Sequence, residues 1–171
     1  AHWLGKRLLE LFSKQSDGRL PKSQLYHVFK SAAGLRRDYD LLAKLDQLRK
    51  RDEVARLAPL LQGAAVQGDA NAIAVFREAA YEHSLMVKAI IQQLDFPSDK
   101  PIPVSYSGGV FKSGEYILQP LQEYLTPLNA TLVQPKLTPV MGACLYAMVL
   151  AGRTVETSLI RKLQEAEKAL V

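Results

Sequence analysis

The sequence has few of the residues that build disulfides or metal sites. Among its 171 residues are a single cysteine, Cys144, and three histidines. One thiol cannot form a disulfide framework within the chain or a multi-cysteine metal site, and such usage is typical of a reducing compartment. We therefore expect a cytoplasmic location, no metal ligands in this chain, and a structural role for Cys144 as a thiol of the hydrophobic core.

Long apolar runs and a strong charge imbalance are also missing. No stretch approaches the roughly 20 apolar residues that a membrane-spanning helix needs, so no membrane segment is predicted. The formal net charge of +5 comes from 22 basic and 17 acidic residues without a long basic block, and nucleic acid is not an expected partner. The composition suits one soluble domain. Because the first residue is alanine rather than methionine, we expect a processed or cut piece of a longer protein.

Two familiar nucleotide-binding signatures are absent, namely Gly-x-x-x-x-Gly-Lys-Ser/Thr and Gly-x-Gly-x-x-Gly. The most informative stretch is Pro103-Val104-Ser105-Tyr106-Ser107-Gly108-Gly109-Val110-Phe111-Lys112-Ser113-Gly114. It predicts a strand, a tight turn and then a helix over residues 115–125. Paired glycines let a ligand approach the main chain closely, and the first turn of a helix offers free N–H groups. The pattern is that of an anion or nucleotide site, with an ordinary glycine turn as the alternative.

Residues 1–95 are mainly helical in pattern. Apolar periodicity predicts helices near residues 3–12, 25–32, 41–48 and 54–65, with a kink or break at Pro59. Asp69 is placed to cap the longest helix, over residues 70–94. Its predicted apolar seam is Ile73, Phe76, Ala80, Val87, Ile90, Ile91 and Leu94. His83 lies on this seam and is interpreted as a core or boundary residue rather than a ligand or base.

Residues 102–151 predict the order strand, helix, strand, helix, and a terminal helix follows over residues 154–171. This order indicates a parallel β/α unit, so the chain is expected to be a single helix-rich α/β lobe over residues 1–171. The segment 140–150 is apolar on all sides and is predicted to be a buried helix. Two strands make a poor sheet, and we expect the missing strands to come from another polypeptide, a symmetry-related copy or another part of the same protein.

Four segments of the chain fall in a recognisable order: residues 1–5, 64–72, 104–113 and 135–143. The first reads Ala-His-Trp-Leu-Gly, the third holds Ser-Gly-Gly-Val-Phe-Lys-Ser, and the last closes with Pro-Val-Met-Gly-Ala. Together they resemble the carboxyl-terminal lobe of the N-acetylglucosamine kinase and BadF/BadG-type ATPase family, within the actin-like ATPase superfamily. The resemblance covers most of the chain and is least clear over residues 15–60. It implies a partial ribonuclease H-like lobe with few strands.

The resemblance also implies a site. In such proteins the glycine turn approaches the ribose and α-phosphate of the nucleotide, which assigns nucleotide binding to Gly108 and Gly109, with Val110 and Phe111 beside them and Ser113 as a cap. ATP and Mg²⁺ are the implied cofactors of the complete protein. The family's Asp-Gly-Gly-x-Ser/Thr loop, catalytic base and metal-linked carboxylate are expected before residue 1. No catalytic residue is therefore assigned to this chain, and we expect it to be inactive alone.

The implied function is part of an ATP-dependent sugar kinase that acts on N-acetylglucosamine or a related amino sugar. This chain would supply the adenosine side of the nucleotide cleft, and the sugar would bind through the other lobe. One alternative is an iron–sulfur ATPase that activates an acyl-CoA dehydratase, which the predicted burial of Cys144 disfavours. The other is a helical interaction module whose glycines merely form a turn.

Overall fold

The computed structural model describes residues 1–48, 50–97 and 99–169. In these ranges the α-helices are α1 (His2–Ser16), α2 (Gln24–Ala32), α3 (Leu41–Gln47), α4 (Arg51–Ala55), α5 (Ala58–Val66), α6 (Ala70–Gln93), α7 (Glu115–Leu125), α8 (Pro139–Leu150) and α9 (Thr157–Ala169). The strands are β1 (Ile102–Ser105) and β2 (Ala130–Val133), and 3₁₀ helices occupy Asp38–Asp40, Gly109–Ser113 and Thr126–Leu128. The predicted helix-rich α/β fold is confirmed.

The main core lies between α1, α2, α5, α6 and α7. Phe12, Phe29 and Phe76 are fully buried there. The ring of Phe12 stacks on Tyr26 at 5.2 Å between centroids and meets Phe29 edge-on at 4.7 Å. Aromatic pairs at such distances stabilise a core beyond their buried area. The apolar faces of the first and second helices, which their amphipathic patterns indicate, are the faces that pack against each other.

A close crossing of α1 and α4 is built on Gly5. A Cβ atom at this position would lie 2.0 Å from the carbonyl oxygen of Val54, so any larger residue would push the two helices apart. Pro59 stands in the first turn of α5, where its missing N–H breaks no helical hydrogen bond. The predicted break between two short helices is confirmed, and it brings the start of α5 close to the start of α1.

Asp69 caps α6 and ties it to α2. Its Oδ1 accepts a hydrogen bond from the backbone N–H of Ala72 at 3.0 Å, and its Oδ2 accepts one from the N–H of Leu25 at 2.6 Å. Burial opposes the charged carboxylate, but the hydrogen bonds from Ser23, Leu25, Ala72 and the backbone of Asn71 outweigh it and hold the pKa of Asp69 below its ordinary value. The predicted cap is confirmed.

The predicted apolar seam of α6 is partly wrong. The residues of α6 that the structure buries are Ala72, Val75, Phe76, Ala79, Ala80 and Ser84. Ile73, Ile90 and Leu94 are exposed. The prediction favoured large aliphatic side chains, whereas half of the buried residues of α6 are alanines, namely Ala72, Ala79 and Ala80.

The two strands form a parallel pair, with Ile102 opposite Ala130 and Ser105 opposite Val133. Helix α7 connects them and buries Ile117, Leu121 and Leu125 in the core. The predicted parallel β/α unit is thus confirmed. In the part of the chain that the structure describes, each strand has one edge without a neighbouring strand.

Helix α8 contradicts two predictions. Met141 is its only buried residue, and Cys144 is exposed, so the predicted buried helix and core thiol are wrong for the described chain. The physical reason is that, among the described residues, α8 packs mainly on α9, which leaves its other sides largely uncovered. Leu170, a predicted member of the α9 stripe, lies outside the described residues. Within the described ranges, none of the helices combines the length and apolarity needed to cross a bilayer.

Candidate functional site

The glycine turn follows the carboxyl end of β1. Gly108 has φ +114° and Gly114 has φ +59°, in the region that L side chains rarely adopt. Between them lies the 3₁₀ helix Gly109–Ser113, after which α7 begins. The sequence predicted that the turn feeds directly into α7. The structure corrects this, because the N–H groups beside the glycines belong to the 3₁₀ helix rather than to α7.

Ser113 does not cap α7. Gly114 occupies the N-cap position, and no side chain accepts a capping hydrogen bond there. Ser113 is instead buried and lines a cavity beside the 3₁₀ helix. The capping role implied by the resemblance is therefore wrong.

Phe111 fixes the 3₁₀ helix to its surroundings. Its ring lies 5.2 Å from the ring of Tyr106 and 5.5 Å from that of His83, edge-on to the histidine. His83 is itself held by Nδ1, 2.6 Å from the carbonyl oxygen of Ala79 on the preceding turn of α6. His83 thus packs against the turn, and the turn is anchored to the longest helix of the fold.

One side of the 3₁₀ helix opens on a cavity of about 240 Å³, which we call the α5 cavity. Its walls include Leu4 of α1, Ala55 of α4, Ala58, Pro59 and Gln62 of α5, and Gly109, Val110, Lys112 and Ser113 of the turn. A Cβ atom at Gly109 would meet nothing within 4 Å, so the backbone there is open to a ligand. Three of the five predicted nucleotide-binding residues meet in this cavity.

The other side opens on a cavity of about 350 Å³, which we call the β2 cavity. Gly108 and Phe111 line it, together with residues 135–139 after β2 and Glu167 of α9. Lys112 lines both cavities. The predicted site residues therefore stay together on one turn but face two separate spaces.

Several lining residues were missed by the sequence analysis. Lys112 lies within the stretch 103–114, and its positive charge close to the glycines could have indicated a contact with an anion. Leu4, Pro59 and Gln62 lie on α1 and α5, far before the turn in sequence, and no motif links them to it. Tertiary approach, not a motif, brings them to the site.

The α5 cavity suits binding rather than bond-making. Its walls, as far as the described residues form them, contain Ala1 with its amino group, aliphatic groups, one amide, one hydroxyl and the amine of Lys112, without a carboxylate or imidazole. The described ranges also contain no group of three or more His, Cys, Asp or Glu residues placed for a metal ion. Such a surface can hold a flat apolar ring and an anion near the turn.

The comparison with protein families identifies this arrangement. The model of the BadF/BadG/BcrA/BcrD ATPase family matches residues 1–147, a span that includes both strands, the glycine turn and all the residues named for the α5 cavity. A search of curated proteins found no match. The family consists of ATP-binding proteins with the actin-like ATPase fold, in agreement with the helix-rich α/β lobe described above. The chain therefore belongs to the BadF/BadG/BcrA/BcrD ATPase family.

Proposed function

We propose that this chain forms the adenosine side of the nucleotide cleft in an ATP-dependent kinase of N-acetylglucosamine or a related amino sugar. The observation that carries the nucleotide assignment is the open backbone of Gly109 at the end of β1, beside the α5 cavity. Ligands of open α/β sheets bind outside the carboxyl ends of the strands. The sugar assignment rests on the resemblance of the four sequence segments to N-acetylglucosamine kinases.

The turn offers two kinds of contact to a nucleotide. Gly109 and Val110 begin the 3₁₀ helix, so their N–H groups have no partner inside it and can donate to ribose or phosphate oxygens. Lys112 is exposed beside them and adds a positive charge. The side chains of Leu4 and Val110 provide apolar surface for the base. The N–H groups and Lys112 thus face the ribose and phosphates, and the apolar side chains face the base.

The metal and the sugar belong to the proposal as well. Mg²⁺ is usually held by substrate phosphates with one or two carboxylates and several waters. Among the described residues the α5 cavity has no carboxylate in its walls and the β2 cavity has one, Glu167, so we assign no step to them beyond binding. We propose that the sugar and the metal are held by a second lobe, and that the 171-residue chain alone transfers no phosphate.

Cys144 is exposed, so burial does not argue against Cys144 as a ligand of an iron–sulfur cluster, the alternative function. This sequence supplies one thiolate per copy, whereas a cluster normally takes four, so the further ligands would have to come from other residues of the protein. The helical interaction module is disfavoured because the family match identifies an ATPase. The kinase remains the proposal.

The nucleotide assignment is tested with Gly109→Val in the full-length protein. Gly109 does not have a positive φ and has open space around its Cβ position, so the fold should tolerate valine while the side chain blocks the approach of ATP. Calorimetric titration should show at least about tenfold weaker ATP binding, or ~1.4 kcal/mol. Gly142→Val on α8 is the control, since that position is equally open but lines neither named cavity. Equal ATP affinity in Gly109→Val and wild type would contradict the site.

The sugar assignment is tested by measuring ADP release with and without N-acetylglucosamine. A kinase should release ADP faster with the sugar and form the sugar phosphate in equal amount. ATP turnover that ignores all amino sugars tested would contradict the sugar kinase and leave the ATPase family unaffected.

A further inference from the structure

Gln62 stands apart from the predicted site residues, because it lies on α5 and reaches the α5 cavity from the wall opposite the glycine turn. We propose that Gln62 is the residue that reads the base of the bound nucleotide and selects adenine. This inference rests on the proposed nucleotide site, and it adds a source of specificity that the turn itself lacks, since backbone N–H groups contact ribose and phosphate oxygens of any nucleotide.

The side chain of Gln62 has no structural task in the described chain. It is half-buried, and its amide makes no hydrogen bond with another described residue. Two glutamines with structural roles provide the contrast. Gln122 donates to the carbonyl of Ala130 and accepts from the N–H of Leu132 at 2.8 Å, and Gln15 donates to the Ser23 hydroxyl at 2.9 Å. Gln62 therefore keeps both its donor and its acceptor for a ligand.

The cavity around this amide has the size and polarity for a base. Its volume of about 240 Å³ is below the ~300–1,000 Å³ of pockets that enclose whole ligands, which suits one flat ring system with the rest of the nucleotide outside. Leu4, Pro59 and Val110 give it apolar walls. One polar side chain in an apolar pocket fixes the orientation of a ring.

An amide can distinguish adenine from other purines. Its N–H group donates to the ring nitrogen N7 while its oxygen accepts from the 6-amino group, a pairing worth about 1–3 kcal/mol of discrimination in nucleic-acid recognition. Along the same edge guanine presents two acceptors, so only one of the two bonds can form. A base held this way in the α5 cavity leaves its ribose and phosphates beside Gly109 and Lys112.

The test compares ATP with purine riboside triphosphate, which lacks the 6-amino group, and with GTP. Calorimetric titrations use the full-length protein, as wild type and Gln62→Leu. Wild type should bind ATP at least about fivefold more tightly than either competitor. Gln62→Leu should lose this preference, because ATP loses two hydrogen bonds whereas purine riboside triphosphate loses only the one to N7.

Two further variants make the outcome decisive. Gln119→Leu is the matched control, because Gln119 is an exposed helical glutamine of α7 outside both cavities, and it should keep the wild-type preference. Gln62→Met keeps the length of the side chain but can neither donate to N7 nor accept from the 6-amino group, so it should also lose the preference; it replaces Gln62→Leu if the leucine variant melts at lower temperature. An unchanged preference for ATP in folded Gln62 variants would overturn the role of Gln62 alone. Absence of any nucleotide binding by wild type would overturn the nucleotide site as well.

Discussion

The helices of the first half and helix α8 both carry large apolar side chains, yet the structure buries these side chains to very different extents. Phe12, Phe29 and Phe76 have no exposed surface, whereas Tyr146 and Leu150 of α8 are 65% and 71% exposed. The sequence of α8 contains no charged residue, so its exposure leaves a continuous apolar surface. The difference shows that an apolar helix is buried only where neighbouring elements pack against it. Its sequence alone does not determine whether such neighbours are present. We infer that a partner copy or another part of the protein covers α8.

The largest expected effect is the loss of stability when a large side chain is truncated in the core, compared with the same truncation in α8. Phe76→Ala should destabilise the chain by about 3–5 kcal/mol, because it leaves a cavity between α6 and α7. Leu150→Ala, on the exposed face of α8, should change the free energy of unfolding by no more than about 0.5 kcal/mol. Urea unfolding of both variants measures the contrast. Equal losses would break the comparison and show that α8 is covered.

Alanine substitution at two glycines should change the free energy of unfolding in opposite directions, one in the well-packed region and one in α8. Gly5→Ala forces a Cβ atom against the Val54 carbonyl and should cost about 1–3 kcal/mol. Gly142→Ala adds a Cβ atom in open space within α8 and should stabilise the helix by about 0.5–1 kcal/mol. Thermal unfolding of both variants measures whether the melting temperature falls or rises. Destabilisation by Gly142→Ala would indicate that another surface lies close to α8.

A polar contact of the well-packed region provides the next test. Asp69→Ala should cost about 0.5–2 kcal/mol at pH 7, because it removes the cap of α6 and the partner of the Leu25 N–H. The folded pKa of Asp69 is depressed, so its stabilisation is present above the unfolded pKa, about 3.9, and is lost as the pH falls through the lower folded pKa. The difference between wild type and variant should therefore shrink below about pH 4.

The control for this pH dependence is Asp95→Ala, at an exposed position after α6. It should leave the free energy of unfolding within about 0.5 kcal/mol of wild type across the same pH range. A cost of Asp69→Ala that stays constant from pH 7 down to pH 3 would show that the charge of Asp69 contributes nothing.

Local chemistry explains what the sequence could predict. The cap at Asp69, the break at Pro59 and the turn at Gly108 each depend on residues within a few positions, and all three occur in the structure. Ser113 shows the limit of such reasoning. The 3₁₀ helix places Gly114 at the N-cap of α7, and that shift by one residue moves Ser113 from a cap to a cavity wall.

Longer-range features could not be predicted from local patterns. The α5 cavity brings Gln62 of α5 beside a turn that lies 46 residues later, and no local pattern predicts this approach. The exposure of Cys144 likewise depends on neighbours that the pattern of α8 does not specify. Periodicity predicted the existence of the helices but not which of their faces are covered.

The smallest expected effect on stability tests what covers α8. Tyr146→Lys should alter the free energy of unfolding by no more than about 0.5 kcal/mol, because the ring is exposed in the described chain. It should nevertheless disrupt association, since a lysine in an apolar contact must lose its hydration. Light scattering of the 171-residue chain should show dimers or larger species for wild type and a shift toward monomer for Tyr146→Lys. Tyr39→Lys, at an 81% exposed tyrosine far from α8 in sequence, is the control and should scatter like wild type. A wild-type chain that stays monomeric at all concentrations would contradict self-association and leave the cover of α8 to another part of the protein.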